Sequence, residues 1–232
     1  MPGAEVLEQY LRSHPHDPTP DVRLSELAYR RLFDALRNSG LEPGTPLPET
    51  LLSTLLGISR TPIREALHQL ASDGLIEFMN GRAVTLAQRS AEELFDALRV
   101  RELIEPEVVR LITKTLAKPK LQRLQHLTSE MEHAARQGDR QAWSRADREW
   151  HEIMCDNCPN QLLGQFVLQA RNRMYHTGSD DGVVDQYLID GTEEHRRIVE
   201  AIAEQDEVRA EGLMRDHLRQ AREAMFKRLV RS

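Results

Sequence analysis

The sequence has few aromatic residues, few cysteines and no long apolar run. Aromatic side chains make up 5% of its 232 residues, while leucine, alanine, glutamate and arginine are abundant, which favours a mainly helical protein. No run of about eighteen apolar residues occurs, so no membrane-spanning helix is expected. Residues 1–20 lack the apolar segment of a secretion signal and are rich in proline, so we expect a flexible N-terminal arm.

The two cysteines, Cys155 and Cys158, lie three residues apart. In a helix this spacing places them on one face, which favours free thiols over a disulfide. A redox pair is the alternative, but no thioredoxin-like context surrounds them. We therefore expect a reducing, cytoplasmic location.

An excess of positive charge is also missing, because the net charge is −6. Residues 21–89 contain eight arginines and eight acidic residues, and residues 90–232 contain 22 basic and 26 acidic residues. This balance excludes a protein that coats nucleic acid indiscriminately. Any contact with DNA must come from a local patch.

The stretch GISRTPIREALHQLASDGL, residues 57–75, has the pattern of a helix with two different faces. Apolar residues recur at helical spacing and predict a buried face: Ile63, Ala66, Leu67, Leu70 and Ala71. Arg60, Arg64 and His68 lie four residues apart on the other face, and Ser59 is placed to cap the first turn. A solvated surface is one interpretation of this polar face, and contact with phosphates and base edges is the other.

The flanking segments favour the DNA-binding interpretation. Two helices precede Gly57, and two short apolar runs follow it, separated by Asn80-Gly81, a dipeptide typical of a type I′ hairpin turn. Three helices and a hairpin predict a winged helix-turn-helix domain over residues 21–88. The helix after the turn is expected in the major groove.

The segment LEPGTPLPETLLSTLLGISRTPIREALHQLASDGLIE resembles the GntR family of bacterial transcription regulators almost continuously. The resemblance implies DNA contacts in the recognition helix and the wing. The residues expected at this interface are Ser59, Arg60, Thr61, Arg64, Thr50, Gly81 and Arg82. Thr50 stands where some members carry a basic residue, and the wing is about two residues shorter than usual.

The second half of the sequence predicts an all-helical antiparallel bundle of six or seven helices over residues 91–230. Breaks at proline, glycine and asparagine separate the predicted helices, which span 91–116, 119–137, 140–156, 161–177, 186–204 and 206–230.

Polar residues on the inward faces of these helices suggest a metal site. Asp147 and His151 lie four residues apart and point the same way, while His195 and His217 each have apolar neighbours at helical spacing. Each histidine alone could be a core residue with satisfied hydrogen bonds. Together, three imidazoles and one carboxylate suit one divalent ion, with zinc as the first expectation and nickel, iron or manganese as alternatives.

Residues 92–227 resemble the FCD ligand-sensing domain of the FadR subfamily, through RELIE, DREWH, NQLL, EEHRRIVEAI and the final HL pair. In metal-binding members an Asp and three His hold the ion, which implies this role for Asp147, His151, His195 and His217. Trp150 replaces the more usual Phe. Arg101 matches an arginine near the cavity and is expected either to pair with an effector carboxylate or to form an ion pair with Glu105. The position in the helix suggests Asn172 and Arg173 as further effector contacts.

Together these features predict a homodimeric repressor that binds an inverted-repeat operator in double-stranded DNA and responds to a small carboxylate bound at the metal. One alternative keeps DNA binding but makes the metal structural or absent, with the bundle serving dimerisation. A metal-dependent hydrolase or lyase is a third hypothesis, which we disfavour: the nearby carboxylates, Glu152 and Glu194, adjoin ligands and should face away from the site.

Overall fold

The computed structural model describes residues 2–15, 22–79, 83–174 and 186–231. The chain forms two compact units, one of Met1–Ser90 with Asn172–Thr177 and the other of Ala91–Arg171 with Gly178–Ser232. Within the described ranges, no helix combines the length and the apolar character needed to cross a membrane.

The first unit is a winged helix-turn-helix, as predicted. An antiparallel hairpin follows its helices. Its elements are α1 (Pro2–Ser13), α2 (Leu24–Asn38), α3 (Glu49–Leu56), α4 (Arg60–Ser72), β1 (Ile76–Met79) and β2 (Ala83–Leu86).

The turn between α3 and α4 depends on Gly57, whose φ of 66° lies in the left-handed region that glycine adopts without strain. The Ser53 hydroxyl donates a hydrogen bond to the carbonyl of Ile58 across this turn. Ser59 occupies the N-cap position of α4, but its side chain forms no capping hydrogen bond, so the predicted cap is wrong. The apolar face of α4 is buried, as its spacing predicted.

The two strands of the wing are antiparallel and pair Met79 with Ala83. Asn80, Gly81 and Arg82 themselves lie outside the described residues. The segment before α3 adds a third strand-like edge, because the amide of Leu86 donates to the carbonyl of Thr45 at 2.9 Å.

The N-terminal segment is not an arm over its whole length, and this prediction was wrong. Residues 2–13 form α1, and Leu7 and Leu11 are buried in the same core as α2 and α3. The Tyr10 hydroxyl donates to Asp34 Oδ2 at 2.9 Å, and Arg31 donates to the carbonyl of Leu11. Burial of two leucines offsets the entropy of ordering this segment, since each contributes about 1.5–3 kcal/mol.

The second unit is the predicted all-helical bundle. In this bundle α10 packs along α5 and α9, and α6 packs along α7 and α9. The helices are α5 (Ala91–Thr113), α6 (Lys118–Gln137), α7 (Arg140–Asp156), α8 (Gln161–Asn172), α9 (Gln186–Ala203) and α10 (Glu207–Arg231). Five of these helices have bounds within about three residues of the predicted spans, because the predicted breaks end them. The helix α8 is the exception: it ends at Asn172 and not at the predicted residue 177.

Both cysteines are buried free thiols, as predicted. Burial raises the pKa of Cys155 and of Cys158. Because the thiolate is the reactive form, buried thiols of this kind are poor redox centres.

Replacing Leu7 by alanine tests the role of α1. We expect Leu7→Ala to lower the free energy of unfolding of the first unit by about 2–5 kcal/mol, since a fully buried side chain is truncated. The matched control is Val6→Ala, because Val6 is exposed on the same helix. Urea unfolding followed by circular dichroism measures both. Equally small losses of unfolding free energy in Leu7→Ala and Val6→Ala would support a flexible N-terminal arm instead of a packed helix.

Candidate functional site

The exposed face of α4 carries side chains without intramolecular partners. Ser59, Arg60 and Thr61 are exposed, and in the described part of the chain none forms a side-chain hydrogen bond or ion pair. Thr50 is also exposed, on α3. Polar groups left unpaired at the positive N-terminal end of a helix suit contact with phosphates.

Arg64 differs from these residues because it is held by Glu49. Its Nε and Nη2 atoms donate to the Glu49 carboxylate at 2.8–3.2 Å, which links α4 to the first turn of α3. The hydrogen bonds from Arg64 lower the pKa of Glu49, so the carboxylate is ionised at neutral pH.

The three predicted histidine ligands come together inside the bundle, and Asp147 approaches two of them. Asp147 and His151 lie on α7, His195 lies on α9 and His217 lies on α10. The three histidines are buried. The Nε2 atoms of His151 and His195 are 3.2 Å apart. Asp147 Oδ1 lies 3.2 Å from His195 Nε2 and 3.5 Å from His151 Nε2.

The second nitrogen of each imidazole faces an acceptor. The Nδ1 atom of His151 lies 2.5 Å from Glu105 Oε1, and that of His195 lies 2.6 Å from the carbonyl oxygen of Gly191. The Nδ1 atom of His217 lies 2.7 Å from Glu194 Oε2. A carboxylate or carbonyl partner on Nδ1 is the usual arrangement of metal-binding histidines, because it fixes the ring and leaves Nε2 for the ion.

Burial sets the protonation of His151. It lowers the pKa of His151, with a further contribution from cationic Arg171, so this ring is neutral at pH 7. The Nε2 atom of His151 lies 3.2 Å from His195 Nε2 and 3.5 Å from Asp147 Oδ1. Two ring nitrogens and a carboxylate oxygen therefore converge, an arrangement that a cation stabilises.

The separations fit a common ion. Ligand atoms at about 2.0–2.2 Å from one metal are separated from each other by roughly 2.8–3.6 Å in octahedral or tetrahedral geometry. One nitrogen of each of the three histidines also lies within 4.8 Å of the others. The residues therefore have the chemistry and the spacing of a divalent metal site.

A buried charge network surrounds this cluster. Glu105 is completely buried, accepts a hydrogen bond from Arg101 Nε at 2.8 Å and lies 3.6 Å from Arg171. Arg171 also donates to Asp147 Oδ2 at 2.6 Å. Burial opposes ionisation of Glu105 and Asp147. Arg101 and Arg171 nevertheless hold the pKa of Glu105 well below its usual value, and Arg171 does the same for Asp147.

The sequence missed Arg171 and part of the roles of Glu105 and Glu194. Arg171 carried no signal of its own, because its partners Glu105 and Asp147 lie on other helices. Glu105 was expected only as an ion-pair partner of Arg101, and its approach to His151 on α7 was not predicted.

Glu194 was expected to face away from the site because it adjoins His195; instead it reaches His217 on α10. Burial raises the pKa of Glu194 to about 7. Burial lowers the pKa of His217, and the positive charge of Arg101 lowers it further.

The three predicted effector residues occupy different places. Arg101 is buried beside the cluster and forms the ion pair with Glu105 that the sequence allowed. Asn172 and Arg173 belong to the first compact unit, and among the described residues neither forms a hydrogen bond or ion pair with the metal ligands.

Both tryptophans of the chain pack against the cluster. The indole of Trp150 lies edge-on to His151 and His195, with ring centroids 4.8 and 4.5 Å apart. Trp143 lies 6.1 Å from His195 and donates its indole N–H to Thr192. These large rings exclude water from one side of the site.

A groove of about 610 Å³ on α6 and α7 is separate from this centre. His126, Glu130, His133 and Glu149 line it, and none of the predicted metal or effector residues does. Its acidic side chains Glu130 and Glu149 both pair with Arg123, which does not line the groove.

Comparisons with known proteins agree with this architecture. Residues 24–86 match the GntR family of bacterial regulatory proteins, and residues 96–220 match the FCD domain family. The chain therefore belongs to the GntR family, with an FCD domain as its second unit. It is a transcriptional regulator and not an enzyme.

Individual relatives are distant but match along most of their length. The chain is 27% identical over 205 residues to the transcriptional repressor GlaR of Escherichia coli, covering 82% of this chain and 90% of GlaR. It is 26% identical over 204 residues to the regulator LutR of Bacillus subtilis, covering 79% and 92%. The fold resembles that of E. coli McbR/YncC with a TM-score of 0.76, 21% identity and coverage of 90% and 99%.

The charge network predicts a large effect of neutralising Glu105. We expect Glu105→Gln to lower the free energy of unfolding of the metal-free protein by about 3–5 kcal/mol, because buried arginines lose their counter-charge. Glu107→Gln on the same helix is the control, since Glu107 forms an exposed pair with Arg110 and should cost about 1 kcal/mol or less. Urea titration of both variants is the measurement. Similar urea midpoints for Glu105→Gln and Glu107→Gln would contradict the claim that Glu105 balances the charge of the buried arginines.

Proposed function

We propose that this regulator is a homodimeric repressor whose operator binding is controlled by a small carboxylate bound at a divalent metal in the FCD domain. The observation that carries the proposal is the convergence of Asp147 Oδ1 with the Nε2 atoms of His151 and His195. The orientation of all three histidines by acceptors on Nδ1 supports it further.

DNA binding is assigned to the exposed N-terminal part of α4. Ser59, Arg60 and Thr61 supply hydroxyl and guanidinium donors, and Arg64 follows one turn later. Thr50 on α3 and the wing residues Gly81 and Arg82 complete the proposed interface by resemblance to the family. Because the unit has no excess of positive charge, these few donors must provide the attraction.

Effector binding is assigned to the cluster and to Arg101. A divalent ion held by four protein ligands supplies one or two further positions for oxygen atoms of an anion. The three imidazoles would hold the ion with their Nε2 atoms, while their Nδ1 atoms face Glu105, the carbonyl of Gly191 and Glu194. Arg101, buried beside His217, supplies a cationic anchor for the effector carboxylate. Asn172 and Arg173 stay candidates for further effector contacts.

Repression is proposed from a relative, and dimerisation is proposed from exposed apolar residues of the bundle. The relative GlaR is named a transcriptional repressor, and we extend that action to this chain. Exposed apolar residues on the bundle, such as Val100 and Leu103 on α5 and Phe166 on α8, suit burial between two copies. A two-fold dimer presents two recognition helices and should select an inverted repeat.

A second candidate function keeps DNA binding but gives the metal a structural role only. The complete burial of His151 and His195 favours it, because closed sites are typical of structural metals. Chelation separates the two candidates. Loss of the effector response in a folded protein supports sensing, whereas unfolding of the bundle supports a structural metal.

Replacing Arg60 tests the DNA interface. We expect Arg60→Ala to weaken operator binding at least about tenfold at fixed salt, because an exposed guanidinium at the start of α4 is lost. The control is Arg30→Ala, since Arg30 is an exposed arginine of α2 that pairs with Glu26. Fluorescence anisotropy with the operator measures both. Wild-type affinity of Arg60→Ala would contradict the assignment.

Replacing His217 tests the metal site. We expect His217→Ala to reduce bound zinc to less than about a tenth of the wild-type content under dialysis against a weak chelator, and to leave operator binding without effector near normal. His126→Ala is the control, because His126 is exposed on α6. Elemental analysis and anisotropy give the two readouts. Equal zinc content in the two variants would exclude His217 as a ligand.

A further inference from the structure

Glu49 and Arg64 form an ion pair between the first helix of the helix-turn-helix and the recognition helix. The two residues are fifteen positions apart in the sequence, so the pair exists only because α3 and α4 pack together. The Glu49 side chain is 22% exposed and that of Arg64 is 57% exposed. The pair therefore lies at the rim of the DNA-facing surface.

The contact uses one edge of the guanidinium group. Nε donates to both carboxylate oxygens, at 2.9 and 3.2 Å, and Nη2 donates to Oε2 at 2.8 Å. A guanidinium group has a second planar edge, formed by Nη1 and Nη2, with the same spacing of donors. In the described chain Nη1 of Arg64 has no partner. This second edge has the donor pattern that binds guanine O6 and N7 in the major groove.

Arg60 provides the contrast. It lies one turn earlier on the same face and has no ion pair or hydrogen bond within the described residues. An unrestrained arginine adapts to phosphates at many positions, whereas an arginine fixed by a carboxylate presents its donors in one direction. Exposed ion pairs add little to stability, so the effect of Glu49 on Arg64 is orientation.

We propose that Glu49 is a positioning residue that directs the Nη1–Nη2 edge of Arg64 at one guanine in each operator half-site. This inference rests on the proposed DNA-binding function of α4. The lowered pKa of Glu49 supports it, because an ionised carboxylate keeps both hydrogen bonds at neutral pH. The opposite role, in which Glu49 competes with DNA for Arg64, is an outcome of the test.

The test begins with selection of binding sites from a random double-stranded DNA library by the full-length protein. Each guanine of the selected site is then replaced in turn, and affinities are measured at fixed salt for the wild type, Arg64→Ala and Glu49→Gln. Glu65→Gln is the matched control, because it removes the same charge from the residue that follows Arg64 on α4. Melting temperatures verify that all variants fold.

We expect the wild type and Glu65→Gln to discriminate against replacement of one guanine by about 5- to 150-fold, the range of a bidentate contact. Arg64→Ala should lose this discrimination, and Glu49→Gln should lose most of it. On DNA in which that guanine is replaced, Glu49→Gln and Glu65→Gln should have the same affinity. Wild-type discrimination in Glu49→Gln, or tighter binding to the selected site than in Glu65→Gln, would overturn the proposal.

The same experiment separates this inference from the proposed function. If the wild-type protein enriches no sequence, the proposed function as an operator-binding repressor fails. If it enriches a site at which Arg64→Ala keeps every preference for guanine, DNA binding stands and the role assigned to Glu49 and Arg64 fails.

Discussion

The approach of buried imidazoles to one another and to one carboxylate determines what the bundle can bind. The Nδ1 atoms face Glu105, the carbonyl of Gly191 and Glu194, while the Nε2 atoms of His151 and His195 lie 3.2 Å apart, both beside Asp147 Oδ1. The arrangement therefore favours a cation at the centre of α7, α9 and α10.

Charge balance explains why this centre tolerates burial. A single buried arginine or carboxylate is costly, but Arg101 and Arg171 face Glu105 and Asp147 at hydrogen-bonding distance. The network joins α5, α7 and α8, so displacement of one metal ligand changes the hydrogen bonds and ion pairs of residues on the other helices. An effector that binds one arrangement of the bundle more tightly than another can therefore shift the equilibrium between them through these contacts.

Local signals in the sequence predicted most helix bounds and the shared face of Asp147 and His151, because breaks and the spacing of four residues depend on near neighbours. Glu194 was placed on the wrong side, since a residue next to a ligand on its own helix can still reach a ligand on another. The N-terminal helix was missed for a related reason: the prolines after residue 14 outweighed the apolar spacing of Leu7 and Leu11, whose burial depends on α2 and α3.

X-ray absorption spectroscopy of the zinc-loaded protein tests the central claim most directly, because it reports the atoms bound to the ion. The account predicts the multiple-scattering pattern of three imidazoles, with nitrogen and oxygen ligands at about 2.0–2.2 Å. A sulfur shell at about 2.3 Å, which only Cys155, Cys158 or a methionine could supply, would contradict it, as would a spectrum without imidazole scattering.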